Sequence, residues 1–325
     1  MRYILFWGVL FSSLATVACD KYEDDPYLAK SIGISKNTEV NADTLICKFK
    51  KFMSLQPDRN KVSQGMACYG DYFIQGYAYN GYVSIYSLRE KTCLGTIEVP
   101  APAPSSRTHV NTINFGTQRY QSEDYFPLLY VSSGYQINGT SFIYVYRLTS
   151  EKKDGKISFS ISLVQTISLF YNSWTEGIID QKDNYLWIKY GGTDYYGYSQ
   201  HVMPRLEEGD VTIYPRDCIT SFKIDRAPIG SRNQGHLYKD GKILLVSGVP
   251  QSGEVTALIS IDTTKEEREF IIDLAKVGLT NPNNPKDGYY EPEGVIYYND
   301  QLMICYRKAI YAFSIERKKK SEQTE

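Results

Sequence analysis

The chain has 325 residues, a formal net charge of −1, 29 tyrosines and 13 phenylalanines. A near-neutral charge excludes the basic footprint of a nucleic-acid-binding protein. Few Ala-Leu-Glu-Lys stretches set against so many aromatic and β-branched residues point to an all-β fold.

The first segment reads as an address. Arg2 precedes an apolar run from Tyr3 to Val17, shorter than the roughly 20 residues a helix needs to cross a bilayer. It leads into Ala15-Thr16-Val17-Ala18-Cys19, which resembles the lipobox of bacterial lipoproteins, although Thr16 stands where that family carries a larger aliphatic residue. The resemblance implies a signal peptide over 1–18, cleavage before Cys19, lipidation of that cysteine and an outer-membrane location on the cell surface or the periplasmic face. An ordinary signal peptide with an incidental cysteine is the alternative. Asp20, Glu23, Asp24 and Asp25 open a polar segment, 19–41, that buries too little apolar surface to order itself and reads as a tether. The acidic cluster also resembles a surface-export signal.

An internal repeat organises residues 42–316. Gln64-Gly65, Glu176-Gly177, Gln234-Gly235 and Glu293-Gly294 each open an apolar strand, followed by a polar turn and a second strand; a degenerate copy fits at Asn111. The five positions are spaced by 47, 65, 58 and 59 residues, a period that favours a β-propeller over a sandwich. Third strands are expected at Tyr82–Leu88, Phe142–Leu148, Cys218–Ile224, Thr256–Ile261 and Ile310–Ile315, with fourth strands such as Cys93–Val99 and Ser158–Ile167. The last unit lacks a fourth strand, while Thr44–Met53 is left over at the start. Donating that strand would give five four-stranded blades and remove an edge. The length of Tyr195–Tyr214 leaves six blades open. The residues from 317 on, with the basic run Arg317–Lys320, read as a tail.

Glu291-Pro292-Glu293-Gly294 resembles the E-P-E-G blade opening of bacterial propellers of the TolB-like, YncE-like and phytase-like groups. The resemblance implies blade architecture and carries no activity. A propeller would gather Gln64, Asn111, Glu176, Gln234 and Glu293 at one mouth of its central channel, with His109, Trp174, His236 and Glu291 nearby. Such a ring suits a sugar, a cation or a phosphoester, and two of its carboxylates, such as Glu176 and Glu293, suit general acid/base work. The repeated Gln/Glu-Gly also has a structural reading, the side chain bonding local backbone and the glycine serving a turn. Tyr77, Tyr79, Tyr82, Tyr190, Tyr195, Tyr196, Tyr198, Tyr289 and Tyr290 are expected in or beside loops, with Tyr190–Tyr198 too Gly-rich for a core. Cys47, Cys68, Cys93, Cys218 and Cys305 show no C-x-x-C spacing, so neither a metal knuckle nor a redox motif is expected. No nucleotide or hydrolase signature occurs, and no cofactor is implied. The expectation is a binding propeller of the cell envelope whose partner is a glycan, a peptide or another envelope protein, with a hydrolase or lyase as the alternative.

Overall fold

The computed structural model describes residues 45–56, 62–78, 81–100, 110–133, 136–191, 195–225, 232–250, 253–274 and 291–317. The signal peptide, Cys19, the tether and His109 therefore lie outside the described residues, as do Tyr79, Tyr289 and Tyr290.

Polar turns fold the repeat into antiparallel hairpins. The strands are β1 (Leu45–Ser54); β2 (Val62–Tyr69), β3 (Tyr72–Ala78), β4 (Tyr82–Ser87) and β5 (Thr92–Glu98) in blade one; and β6 (Val110–Phe115), β7 (Leu129–Ser133), β8 (Ser141–Lys153) and β9 (Lys156–Leu169) in blade two. Blade three holds β10 (Glu176–Asp180), β11 (Tyr185–Tyr190), β12 (Tyr195–Val202) and β14 (Thr220–Asp225). The short β13 (Val211–Ile213) crosses back to pair in parallel with β9. Blade four holds β15 (Asn233–Lys239), β16 (Lys242–Ser247), β17 (Ala257–Asp262) and β18 (Glu267–Asp273), and blade five holds β19 (Pro292–Tyr298), β20 (Gln301–Tyr306) and β21 (Ala309–Arg317). At the β15–β16 turn Asp240 and Gly241 both take positive φ, as do Asn299 and Asp300 between β19 and β20. Two left-handed residues in a two-residue loop match the twist of the strands they join.

The ring closes as the sequence implies. β1 pairs antiparallel with β21, Cys47 opposite Ile315 and Met53 opposite Ile310, so the first strand is the outer strand of the last blade. The pairing reaches Leu45 opposite Arg317, which places Arg317 in the final strand rather than in the tail. The core consists of five apolar clusters, each drawn from two neighbouring blades. Ile74 and Ile85 meet Ile113 and Tyr146; Ile143 and Val145 meet Ile179 and Leu186; Trp187 and Phe222 meet Ile243 and Ile259; Val246 and Leu258 meet Val295 and Ile304; and Ile296 and Met303 meet Met53 and Phe73. Five interfaces for five blades leave no open flank.

Two expectations fail in blade three. Cys218–Ile224 was expected as its third strand. Instead β12 is third and β14 fourth, and Tyr195–Tyr214 supplies one blade strand plus β13, not a sixth blade. The tyrosines on either side of the Gly-rich segment are core rather than loop: Tyr190, Tyr196 and Tyr198 are buried, and so is Tyr77. A Cβ at Gly197 would lie 2.3 Å from the Tyr190 ring, so this glycine lets a tyrosine pack flat across its strand. Tyr82 and Tyr195 are half-buried, and the Tyr195 ring carries the Lys223 ammonium 4.2 Å from its centroid.

Candidate functional site at the channel mouth

The innermost strands β2, β6, β10, β15 and β19 neighbour one another around the axis and all run the same way. Their first residues therefore share one mouth. In four of the five, the repeat residue falls where the ladder slips register, between Ser63 and Met66, Val110 and Thr112, Asn233 and Gly235, and Pro292 and Gly294. A bulge leaves its extra residue outside the ladder and re-aims the side chain. Glu176 is the exception, paired directly with Lys189.

The glycine of the repeat serves close approach, not a turn. A Cβ at Gly65 would sit 2.3 Å from the Asn111 carbonyl oxygen, one at Gly235 2.7 Å from that of Glu293, and one at Gly294 2.8 Å from Met66 Cβ. Only glycine lets neighbouring inner strands pass this closely.

Two carboxylate clusters occupy the mouth. In the first, Asn111 Nδ2 donates to Glu176 Oε1 at 2.6 Å, while His236 Nδ1 lies 3.0 Å and Lys189 Nζ 4.0 Å from Oε2. The imidazole contact is close but misaligned, and Oε2 receives no well-formed hydrogen bond. Burial pushes the Glu176 pKa up; Lys189, His236 and the Asn111 amide outweigh it and hold the group at about 2. In the second cluster, Gln234 Nε2 donates to Glu291 Oε1, and Arg307 reaches Glu291 Oε2 and Glu293 Oε1, each at 3.9 Å. Burial raises Glu291 against the pull of Arg307. Glu293, 0% exposed, is raised well above the ordinary carboxylate range by burial and by the neighbouring Glu291. Neither of its oxygens has a hydrogen-bond donor among the described residues. Two carboxyl groups beside one guanidinium retain a proton between them.

The structure thus brings Asn111, Glu176 and His236 together, and separately Gln234, Glu291 and Glu293. Gln64 is buried at the same end of β2 and bonds to neither cluster. Blade one contributes instead through Gln75, whose Nε2 donates to Ser63 Oγ at 2.8 Å and to the Arg307 carbonyl at 3.1 Å. Trp174 stands just before β10 and is 52% exposed. Lys189 and Arg307 escaped the sequence reading. Lys189 was recoverable: the turn at Lys182–Asn184 pairs Asp180 with Tyr185 and so sets Glu176 opposite Lys189. Arg307, in the short β20–β21 turn, carries no comparable signal.

The remaining described histidine is part of the blade interior. His201 Nε2 lies 2.5 Å from Tyr171 OH and 3.1 Å from Ser199 Oγ, and burial lowers its pKa to about 4. The five cysteines are free thiols. Among the described residues no three His, Cys, Asp or Glu side chains are placed to hold a metal ion.

Neither a protein-family model nor a curated protein sequence matches this chain. Similar solved structures include the glutaminyl cyclase of Myxococcus xanthus (12% identity, 83% of this chain and 97% of that one, TM-score 0.47). The PQQ-bound aldose sugar dehydrogenase of Streptomyces coelicolor is 10% identical over 83% and 99% of the two chains, with a TM-score of 0.45. A putative phosphatase of Bacteroides thetaiotaomicron is 9% identical over 85% and 80%, at 0.44. Likeness at this level carries no activity across, and what the chain belongs to on its own strands is the five-bladed β-propeller fold.

Proposed function

We propose that this chain is a lipid-anchored envelope propeller that binds a glycan at the mouth where its innermost strands begin. The observation that carries the reading is the exposed indole of Trp174, two residues from Glu176, beside a mouth of amides and carboxylates. Gln64, Asn111, Gln234 and Glu291 each keep 7–8% of their surface accessible, so both donors and acceptors reach a ligand there. An aromatic face beside convergent polar groups suits a sugar, whose CH face stacks while its hydroxyls bond. The anchor rests on the lipobox resemblance at Cys19: two or more acyl chains hold a protein on a membrane where one does not.

Calorimetric titration of the purified protein against an oligosaccharide panel tests this. Trp174→Ala is expected to weaken the best ligand by about tenfold, roughly 1.4 kcal/mol, with the melting temperature unchanged. A panel in which nothing binds, or a variant that binds undiminished, overturns the reading. For the anchor, fatty-acid label on the wild type and none on Cys19→Ala is the expected result.

One observation favours catalysis as a second reading. Glu176 is held ionised while Glu293 is held protonated, the division of labour of a base and an acid. Turnover of a bound glycan that vanishes in Glu293→Gln, with affinity retained, would establish it.

A further inference from the structure

Each blade presents an outer strand to solvent, and most of these edges are protected. β1 carries Lys48, Lys50 and Lys51, β14 carries Lys223, and β18 carries Glu267, Arg268 and Glu269. β5 is only 7 residues long and slips register between Ile85 and Tyr86 of its neighbour. Charge, shortness and bulges are what keep an edge from pairing with another chain. β9, the outer strand of blade two, is different. From Ile157 to Gln165 it reads Ile-Ser-Phe-Ser-Ile-Ser-Leu-Val-Gln, with no charge, proline or glycine, and its register slip falls near the far end, at Val164.

Among the described residues the outer side of β9 is paired only at Ile167–Leu169, where β13 adds to it in parallel. Just before that, Asp210 Oδ1 accepts the Thr166 N–H at 2.7 Å. From Lys156 to Val164 the outward N–H and C=O groups have no strand beside them. This free edge has a stop at each end: the hairpin tip at Asp154-Gly155 and the start of β13.

The free edge is its own complement. Antiparallel to a second copy, with the two Ser160 residues facing each other across a two-fold axis, Ile157 stands opposite Leu163, Ser158 opposite Ser162 and Phe159 opposite Ile161. Hydroxyl meets hydroxyl on the exposed face. On the other face, Phe159, Ile161 and Leu163 are half-buried against the cluster between blades one and two, the Phe159 ring 6.0 Å from that of Tyr72. The ends match in charge as well. The hairpin tip carries exposed Lys152, Lys153 and Lys156 against Glu151 and Asp154, while the loop before β13 carries exposed Glu207, Glu208 and Asp210 against Arg205. Buried Gln165 fixes that loop, donating from Nε2 to the Arg205 carbonyl at 3.0 Å and the Gly209 carbonyl at 2.6 Å. In the same register Lys156 of one copy stands opposite Val164 of the other, so each lysine tip comes up against the other copy's acidic loop.

We propose that β9 is a self-association edge: two copies of this chain pair antiparallel through Lys156–Val164, centred on Ser160, and join their second blades into one continuous sheet. The closed ring leaves no flank for a partner, and this edge supplies one through backbone hydrogen bonds.

Sedimentation velocity of the full chain across the micromolar range is expected to show a monomer–dimer equilibrium. Ser160→Lys sets two ammonium groups face to face and is expected to raise the dimer dissociation constant about fivefold, with the melting temperature unchanged because the side chain is exposed. Under mild oxidation Ser160→Cys is expected to form a reducible disulfide between copies, since both Cα separations of an antiparallel pair, about 4.5 and 5.5 Å, are within disulfide reach. Ser158→Cys is expected to cross-link with Ser162→Cys and not with itself, against the background set by the free thiols of the wild type. A chain that stays monomeric throughout the range overturns the proposal. So does a dimer undiminished by folded Ser160→Lys, a Ser160→Cys chain that cross-links no more than wild type, or a Ser158→Cys chain that cross-links with itself as readily as Ser160→Cys.

Discussion

Glu176 and Glu293 hold equivalent places in blades three and five, each followed by glycine and each at the start of an innermost strand. Their electrostatics are opposite. Glu176 meets an amide donor, an imidazole and an ammonium from three blades and stays ionised to about pH 2. Glu293 meets a second carboxyl group and shares one guanidinium with it, and its proton is held far above the usual range. A repeat therefore dictates where a side chain is placed, while the neighbours that other strands bring decide its charge.

Three substitutions test that contrast. The largest effect belongs to Glu176→Gln. It strips a buried cluster of its anion and leaves Lys189 and His236 uncompensated, which costs about 3–5 kcal/mol; denaturant unfolding at pH 7 measures it. A loss below about 1 kcal/mol would mean that the cluster is hydrated rather than paired.

Lys189→Met comes next, at about 1–3 kcal/mol. It removes the strongest influence lowering Glu176, so the carboxyl resonance followed by carbon-13 NMR should titrate well above pH 2. An unmoved titration would transfer the role to His236 and Asn111.

Glu293→Gln has the smallest effect, under about 1 kcal/mol near pH 5, because the amide mimics the protonated acid. Its signature is in the pH dependence. A depressed native pKa contributes stability that is complete above the ordinary value of 4.5 and is lost as pH falls toward about 2, which is the Glu176 limb. A raised native pKa acts the other way: above 4.5 the unfolded chain gives up its proton while the native one keeps it, so stability falls as pH rises. Glu293→Gln should flatten the limb above 4.5 and leave the acid limb intact, and Glu176→Gln should do the reverse. Melting curves from pH 2 to 8 separate them, and identical profiles would erase the distinction.

The blade count was legible because the same turn and apolar-strand pattern recurs at intervals of 47 to 65 residues, and the closing strand was legible because one blade came up short. The mouth residues were legible as positions. Their partners were less so: Asn111 and His236 approach Glu176 from blades two and four, and no local pattern announces a contact across 65 or 60 residues. Blade three misled for a steric reason. Gly191 and Gly197 look like loop residues, yet Gly197 leaves room for the Tyr190 ring and Gly191, at φ 140°, admits the Tyr195 carbonyl 2.5 Å from where a Cβ would stand. Glycine marks a close approach as readily as a bend.

The pairing of β1 with β21 also has a consequence in time. Ribosomes release a chain from its first residue onward at roughly 5–20 residues per second. The strand that completes the last blade is thus made first, and it waits some tens of seconds while the residues between Ser54 and Ala309 emerge. Through that interval Met53, buried in the finished ring, has no partner from blade five, and blade one, which needs blade five on one flank, is exposed on that side. Assembly is consequently held open until the final strand arrives, and truncation before Ala309 leaves both ends of the ring unmatched.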